Sequence, residues 1–322
     1  MTSISKVAQA SGLHYGPQAS GLHYGPRASR PLGLAIALVL LLFTNPVHAA
    51  SFQSLLNQKL GDQNASVLIV STRTGKILGA THADLLEKPS PPGSLIKVFT
   101  AISYYEQHGN HFPEYQCPAS LSSDPNGCWD RNGHGKAGIV EGLAHSCNVY
   151  FRQLAQQISP QVFRKTLQKF DLAESESSFD PQGIMTGKTL DWTVSPTLLL
   201  RAYCALFNGG YLFQAPGHPA RHVVLEEPIK TLIHQGMKLS AEKGTSLEAR
   251  RMSGQAILGK TGTSLLWRDG KVNWRETQGW WIGLYPAEKP EIAVLTFVPY
   301  GRGATHAAPL GGKIISWFLQ TR

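Results

Sequence analysis

Apolar, strand-like segments lie near both ends of this chain, and a long helical stretch lies between them. Ser66 to Ser71 reads as a short apolar strand, Arg73-Thr74-Gly75-Lys76 as a turn, and residues 77–80 as a returning strand. Strand patterns come back only after about Ser240, in residues 256–263, 277–285 and 292–298, and a last helix is predicted over 311–319. Pro89 to Gly93 stops regular structure, and a helix is predicted from Ser94, with Ile96, Phe99, Ala101 and Ile102 as apolar anchors. Residues 110–135 form a loop rich in Pro, Gly and Asn. From Ile139 to Phe207 the pattern is mostly helical. Val149, Phe151, Leu154 and Ile158 supply one face and Val162, Leu167 and Phe170 another; a helix opened by Ser195-Pro196 ends at Asn208-Gly209-Gly210. This order predicts an α+β fold. A mainly antiparallel sheet is built from both chain ends (about 51–93 and 241–322) with terminal helices. An all-helical part is inserted (about 94–240), with a cleft between the two.

The chain has 322 residues, 42% hydrophobic and 16% charged, which suffices for a sizeable core and argues against disorder. Its formal charge is +9, yet it contains no Lys/Arg block or nucleic-acid motif. No nucleic-acid partner is expected; an anionic cell envelope suits the charge equally well. Arg27 and Arg30 precede an apolar run from Leu32 to Phe43, followed by Val47-His48-Ala49-Ala50. That is the pattern of a secretory signal. The run is shorter than the ~20 residues of a spanning helix. Cleavage after Ala49 is expected, with retention as an uncleaved anchor as the alternative, and an exported, periplasmic or extracytoplasmic location follows. A tandem repeat, Ala10 to Pro17 and Ala19 to Pro26, is too short for a solenoid and is read as disordered. The predicted division is 1–49 as N-terminus and signal, and 50–322 as one domain without a second module.

Four cysteines are present. Cys117 and Cys128 flank a loop of Ser, Asp, Pro, Asn and Gly and are the candidate disulfide pair, although spacing alone does not establish a pairing. Zinc fits poorly, because the spacing is long and the nearby histidines form no ligand pattern. No metal or cofactor is therefore expected, and Cys147 reads as a small buried residue.

Three short segments carry chemistry: Ser94-Leu95-Ile96-Lys97, Ser146-Cys147-Asn148 and Lys260-Thr261-Gly262. A serine hydroxyl needs an adjacent base to act as nucleophile, and residues three apart on a helix share a face. Lys97 can serve Ser94 if burial or a neighbouring cation such as Lys260 lowers its pKa. Ser146 and Asn148 suit a turn between helices, where a hydroxyl could pass a proton and an amide could bind a carbonyl. Lys260, Thr261 and Thr263 offer a carboxylate clamp on a strand, and Gly262 admits close approach of a ligand or another backbone. Strict alternation sends Lys260 and Thr261 to opposite faces, so spacing does not place both in a cleft.

Read together, S-x-x-K, S-x-N and K-T-G are the motif set of penicillin-binding proteins and serine β-lactamases. From about Ala65 onward the chain resembles the transpeptidase domain of high-molecular-weight penicillin-binding proteins. Pro92-Gly93, Gly133-His134-Gly135, Val149-Tyr150-Phe151, Ser195-Pro196, Asn208-Gly209-Gly210, Gly244-Thr245 and Gly279 to Pro286 also match that family's usual flanks. The resemblance implies a stand-alone serine D,D-peptidase acting on D-Ala-D-Ala stem peptides of peptidoglycan through an acyl-Ser94 intermediate. The resemblance implies Lys97 as the base, Ser146 as the proton relay, Asn148 as the peptide anchor, and Lys260, Thr261, Gly262 and Thr263 as the carboxylate site. Backbone N–H groups of Ser94 and Thr263 would form the oxyanion hole, and β-lactams would be covalent inhibitors. Peripheral association with the membrane or with cell-wall proteins is implied as well. Cys147 within S-x-N and the lack of an E-x-x-L-N segment separate the chain from class A β-lactamases, and Asn148 separates it from class D. β-Lactamase remains the alternative, ahead of a β-lactam or muropeptide sensor.

Overall fold

The computed structural model describes residues 46–322, apart from 62, 122–123, 125–126, 173–179, 191, 216–217 and 269–270. The predicted signal and the repeat lie outside the described residues, save that residues 46–49 are already helical. In chain order the elements are α1 (Pro46–Leu60), β1 (Ser66–Ser71), β2 (Ile77–Thr81), α2 (Ala83–Glu87), a tight 3-10 turn (Gly93–Ile96) and α3 (Lys97–His108). There follow β3 (Tyr115–Cys117), β4 (Gly135–Ala137), α4 (Ile139–Ala144), α5 (Asn148–Ala155), α6 (Pro160–Lys169), α7 (Pro181–Thr186) and α8 (Pro196–Ala205). The last part comprises β5 (Tyr211–Ala215), β6 (His218–His222), α9 (Glu227–Lys243), α10 (Leu247–Ser253), β7 (Leu258–Arg268), β8 (Lys271–Tyr285), β9 (Ile292–Val298) and α11 (Ala308–Gln320).

The sheet joins the two chain ends as expected. Its order is β2-β1-β9-β8-β7, antiparallel throughout, and β1 pairs with β9 from Ser66↔Phe297 to Ser71↔Ile292. Both faces are covered, which explains why its strands read as apolar runs rather than alternating ones. Val67, Ile69, Trp281 and Val294 point toward α1 and α11, where they pack with Phe52, Leu56, Ile314 and Phe318. Leu68, Trp280, Ile282 and Leu295 point the other way, into a core shared with Leu95, Phe99, Phe151 and Tyr203 of the helical part. The period of two thus divides adjacent Trp280 and Trp281 between separate cores.

The structure differs from the sequence expectation in four places. Helix α1 was not anticipated, although Phe52, Leu56 and Leu60 recur every four residues and are all buried. Helix α10 occupies residues ahead of the strand expected at 256–263, where no element was expected. Its backbone at Ala249 approaches Gly312 of α11 so closely that a side chain at Gly312 would collide with it. The inserted part holds two ribbons, β3–β4 and β5–β6, beside its helices. Finally, Ser94 lies in the 3-10 turn, and the α-helix proper starts at Lys97.

Trp281 is fully buried, and its ring lies against Gly283 and Gly311. Trp281→Ala is expected to destabilise the protein by about 3–5 kcal/mol in urea denaturation. Val224→Ala, at a side chain that is 73% exposed, is expected to stay within about 0.5 kcal/mol of the parent.

Candidate active site

The turn bearing Ser94 crosses over the edge strand β7, and two glycines make that crossing possible. Gly93 has φ +56, a conformation that side chains other than glycine's rarely adopt. A Cβ on Gly93 would stand 2.5 Å from the Thr263 carbonyl oxygen, and one on Gly262 would stand 2.3 Å from that of Pro92. Gly262 therefore serves contact between two stretches of backbone. The turn is also fastened from other sides. The Pro91 carbonyl accepts from Ser264 Oγ (2.8 Å) and Gln278 Nε2 (3.0 Å), and the Leu95 carbonyl accepts from the Tyr203 hydroxyl (2.6 Å). Ser94 itself is half-buried, one turn ahead of Lys97.

Lys97 and Lys260 are both fully buried, and both reach the same residue, Ser146. Lys97 Nζ donates to the Ser146 carbonyl (2.9 Å) and to Asn148 Oδ1 (2.7 Å). Lys260 Nζ donates to Ser146 Oγ (2.9 Å) and to the Thr261 carbonyl (2.9 Å). Ser146 occupies the turn between α4 and α5 with φ +51. For a non-glycine residue that conformation costs roughly 1–2 kcal/mol, and the surrounding bonds hold it in place. The three motifs, over a hundred residues apart at their extremes, thus converge on one hydrogen-bonded centre.

Burial sets the electrostatics. The Lys97 pKa is lowered from 10.5 to about 7, chiefly by loss of hydration; negative charge on Cys147 and Cys128 would oppose the shift, and the Lys188 and Arg152 charges add to it. Burial also takes Lys260 well below its ordinary value, and the Lys97 charge adds to that effect. Neutral Lys97 is therefore accessible near neutral pH, as a general base requires.

The pleat of β7 resolves what spacing left open. Lys260 pairs across the ladder with Ile282 and Thr261 with Trp281, so their side chains leave on opposite faces. The Thr261 hydroxyl donates to Thr245 Oγ1 (2.7 Å), and Thr263 Oγ1 accepts from the Gly303 N–H (2.9 Å). Thr263 is exposed on a strand that ends the sheet. Thr245, noted in the sequence only as part of a Gly-Thr flank, becomes a neighbour of the K-T-G strand.

Cys117 and Cys128 do come together, but as free thiols, with Cys147 and His134 completing the group. The sequence reading missed His134, because residues 117 and 134 are brought face to face only by the β3–β4 ribbon, where Cys117 pairs with Gly135.

The sheet built from both chain ends and the helical insertion meet at the hydrogen-bonded centre of Lys97, Ser146 and Lys260. Residues 65–316 match the family described as penicillin binding protein transpeptidase domain, and the chain belongs to that family. It is 26% identical over 269 residues to stage V sporulation protein D of Bacillus subtilis, covering 70% of this chain and 41% of that protein. It is 23% identical to the peptidoglycan D,D-transpeptidase MrdA of Acinetobacter baumannii, covering 84% of this chain and 53% of that protein. The chain thus spans about half the length of these relatives. Among solved structures, the apo transpeptidase domain of Burkholderia pseudomallei penicillin-binding protein 3 superposes with TM-score 0.64 at 18% identity, covering 85% of this chain and 92% of that one. Penicillin-binding protein 2 of Helicobacter pylori, in its complex with MreC, superposes with TM-score 0.65 at 18% identity, covering 84% and 62%. These structures share the fold.

Gly262→Ala tests the crossing of turn and strand. The added methyl meets the Pro92 carbonyl, so a loss of about 1–3 kcal/mol in denaturant stability is expected. Unchanged stability would show that the turn moves away freely.

Proposed function

We propose that this protein is a penicillin-binding serine D,D-peptidase that acts on D-Ala-D-Ala stem peptides of peptidoglycan through an acyl-Ser94 intermediate. The observation that carries this reading is Lys97, fully buried, with its pKa near 7, one turn after Ser94. Neutral Lys97 takes the Ser94 proton as Oγ attacks the carbonyl of the penultimate D-Ala. The backbone N–H groups of Ser94 and Thr263 receive the oxyanion. The contact between Gly93 and Thr263 supports this pairing, and each such donor is worth about 3–4 kcal/mol. The proton then returns to the departing D-Ala through Ser146, which Lys260 holds by its hydroxyl.

Asn148 anchors the peptide backbone of the donor. Lys260 on one face of β7 and Thr263, exposed at its edge, form the carboxylate side of the site; Thr261, on the face opposite Lys260, is held by Thr245, and Gly262 keeps the strand against the Ser94 turn. As an edge strand, β7 offers unpaired backbone groups to an extended peptide. Arrival of the substrate carboxylate stabilises charge on Lys260, and that charge in turn keeps Lys97 neutral. The acyl group passes to an amine, giving a cross-link, or to water, giving trimming. β-Lactams acylate the same serine. The location in this reading is extracytoplasmic, where peptidoglycan lies, and association with other cell-wall proteins is part of it. Among the described residues, no helix is long and apolar enough to cross a membrane.

The test is covalent labelling by a fluorescent penicillin, followed by mass spectrometry of a stem pentapeptide incubated with and without an amine acceptor. Labelling of the parent, none of Ser94→Ala, and release of terminal D-Ala are expected. Equal labelling of Ser94→Ala would remove Ser94 as nucleophile, and rapid turnover of the antibiotic with an untouched pentapeptide would make the protein a β-lactamase.

A further inference from the structure

We propose that Cys117, Cys128, Cys147 and His134 bind a zinc ion, and that this ion ties the loop after β3 to the turn carrying Ser146. The four residues come from three places: Cys117 ends β3, Cys128 and His134 lie on the loop leading to β4, and Cys147 precedes α5. Their ligand atoms all lie within 4.8 Å of one another. Cys117 and Cys147 are fully buried, and His134 is nearly so, with a side-chain exposure of 6%.

Three of the six ligand–ligand distances match the edges of a zinc tetrahedron. With Zn–S near 2.3 Å and Zn–N near 2.0–2.1 Å, a tetrahedral ion sets sulfur–sulfur edges at about 3.8 Å and sulfur–nitrogen edges at about 3.6 Å. Here Cys128 Sγ and Cys147 Sγ are 3.9 Å apart, and His134 Nδ1 stands 3.5 Å from Cys117 Sγ and 3.4 Å from Cys128 Sγ. A disulfide would join two of these sulfurs at about 2.05 Å and leave the third without a partner. Thiols are weak donors and acceptors, so hydrogen bonding alone gives little reason to gather three of them around one imidazole.

The surroundings suit a metal-bound histidine. Nδ1 faces the sulfurs, while the buried Nε2 makes no hydrogen bond and has Asp130 Oδ2 3.9 Å away. A carboxylate on the far side of a ligating imidazole is the usual device for fixing its tautomer and orientation. The His145 ring stacks on His134 at 5.2 Å, and the Trp129 ring lies 5.5 Å from it. Cys147 Sγ accepts from the Tyr150 N–H (3.4 Å) at the start of α5, where the helix dipole favours an anionic sulfur. Three thiols give up their protons to solvent as the ion binds, and no electron changes hands. Four protein ligands close the coordination sphere, so the ion is structural; soft thiolates with one imidazole select zinc over magnesium or calcium.

Cys147 is the middle residue of the Ser146-Cys147-Asn148 motif. An ion on its sulfur fixes the backbone between the serine that receives Lys260 and the asparagine that receives Lys97. The site thereby couples Cys128 and His134, on the segment leading to β4, to the turn that carries Ser146.

Zinc content of the full chain, purified in the presence of a reductant, tests this without any substrate. One zinc ion per chain is expected, and cobalt substituted for it should show the intense visible bands of a tetrahedral thiolate-rich site. Cys128→Ser and His134→Ala should lose the ion. Asp130→Asn, which leaves all four ligands in place, should weaken zinc binding about 10–100-fold. Removing zinc from the parent with a chelator should slow penicillin acylation, and adding it back should restore the rate. A metal-free parent with a Cys117–Cys128 disulfide in its non-reducing peptide map would overturn the site. So would an octahedral cobalt spectrum, or equal zinc affinity in the parent and Cys128→Ser. Because metal content is read without a substrate, failure of the site is distinguishable from failure of the acyl-transfer reading.

Discussion

Two lysines are buried beside one serine, and among the described residues both donate to neutral oxygens rather than to a carboxylate. Lysine is almost never fully buried unless its charge is matched. Here Lys97 and Lys260 find instead the carbonyl and hydroxyl of Ser146, the Asn148 amide oxygen and the Thr261 carbonyl. Oxygen dipoles satisfy the N–H donors but do not cancel two charges. Desolvation is thus the largest cause of the lowered pKa at both sites. An arrangement that costs stability at neutral pH makes a base available there.

The rest of the fold serves to hold this centre. The first strand pairs with the last, which fixes the two chain ends as one sheet around the K-T-G strand. The helical insertion then brings Ser94, Lys97 and Ser146 against that sheet from its Trp280 face. Gly93 and Gly262 let the Ser94 turn touch the strand, backbone to backbone. Ser146 accepts a left-handed backbone because bonds from both sides of the cleft end on it.

Much of this was legible in the sequence, for identifiable reasons. Long-range strand pairing was readable because the β1 and β9 segments are apolar runs with no helical period. Ser94, Lys97, Ser146 and Lys260 were readable because each belongs to a short local motif. Interactions that depend on chain reversal were not. The sequence does not show that Gly262 meets Pro92, that Thr261 bonds Thr245, or that His134 faces Cys117 across a three-residue ribbon. Helix α1 was obscured by its position directly after an apolar signal-like segment, and the 3-10 start of the Ser94 turn by the ordinary helical pattern of the residues behind it. The thiol group is the sharpest case. Two cysteines flanking a loop suggested a pair, while the third, inside the Ser146-Cys147-Asn148 motif, read as packing.

Acyl transfer to Ser94, as proposed, requires a neutral Lys97. The most direct measurement is the rate of Ser94 acylation by a penicillin as a function of pH, from about pH 5 to about pH 9. Below its pKa Lys97 is protonated and cannot accept the serine proton; above it the base is free. The rate is therefore predicted to rise with pH through a midpoint near the Lys97 value of about 7 and then level off. A rate that is flat across this range, or one that first rises only near the ordinary lysine value of 10.5, would contradict the assignment.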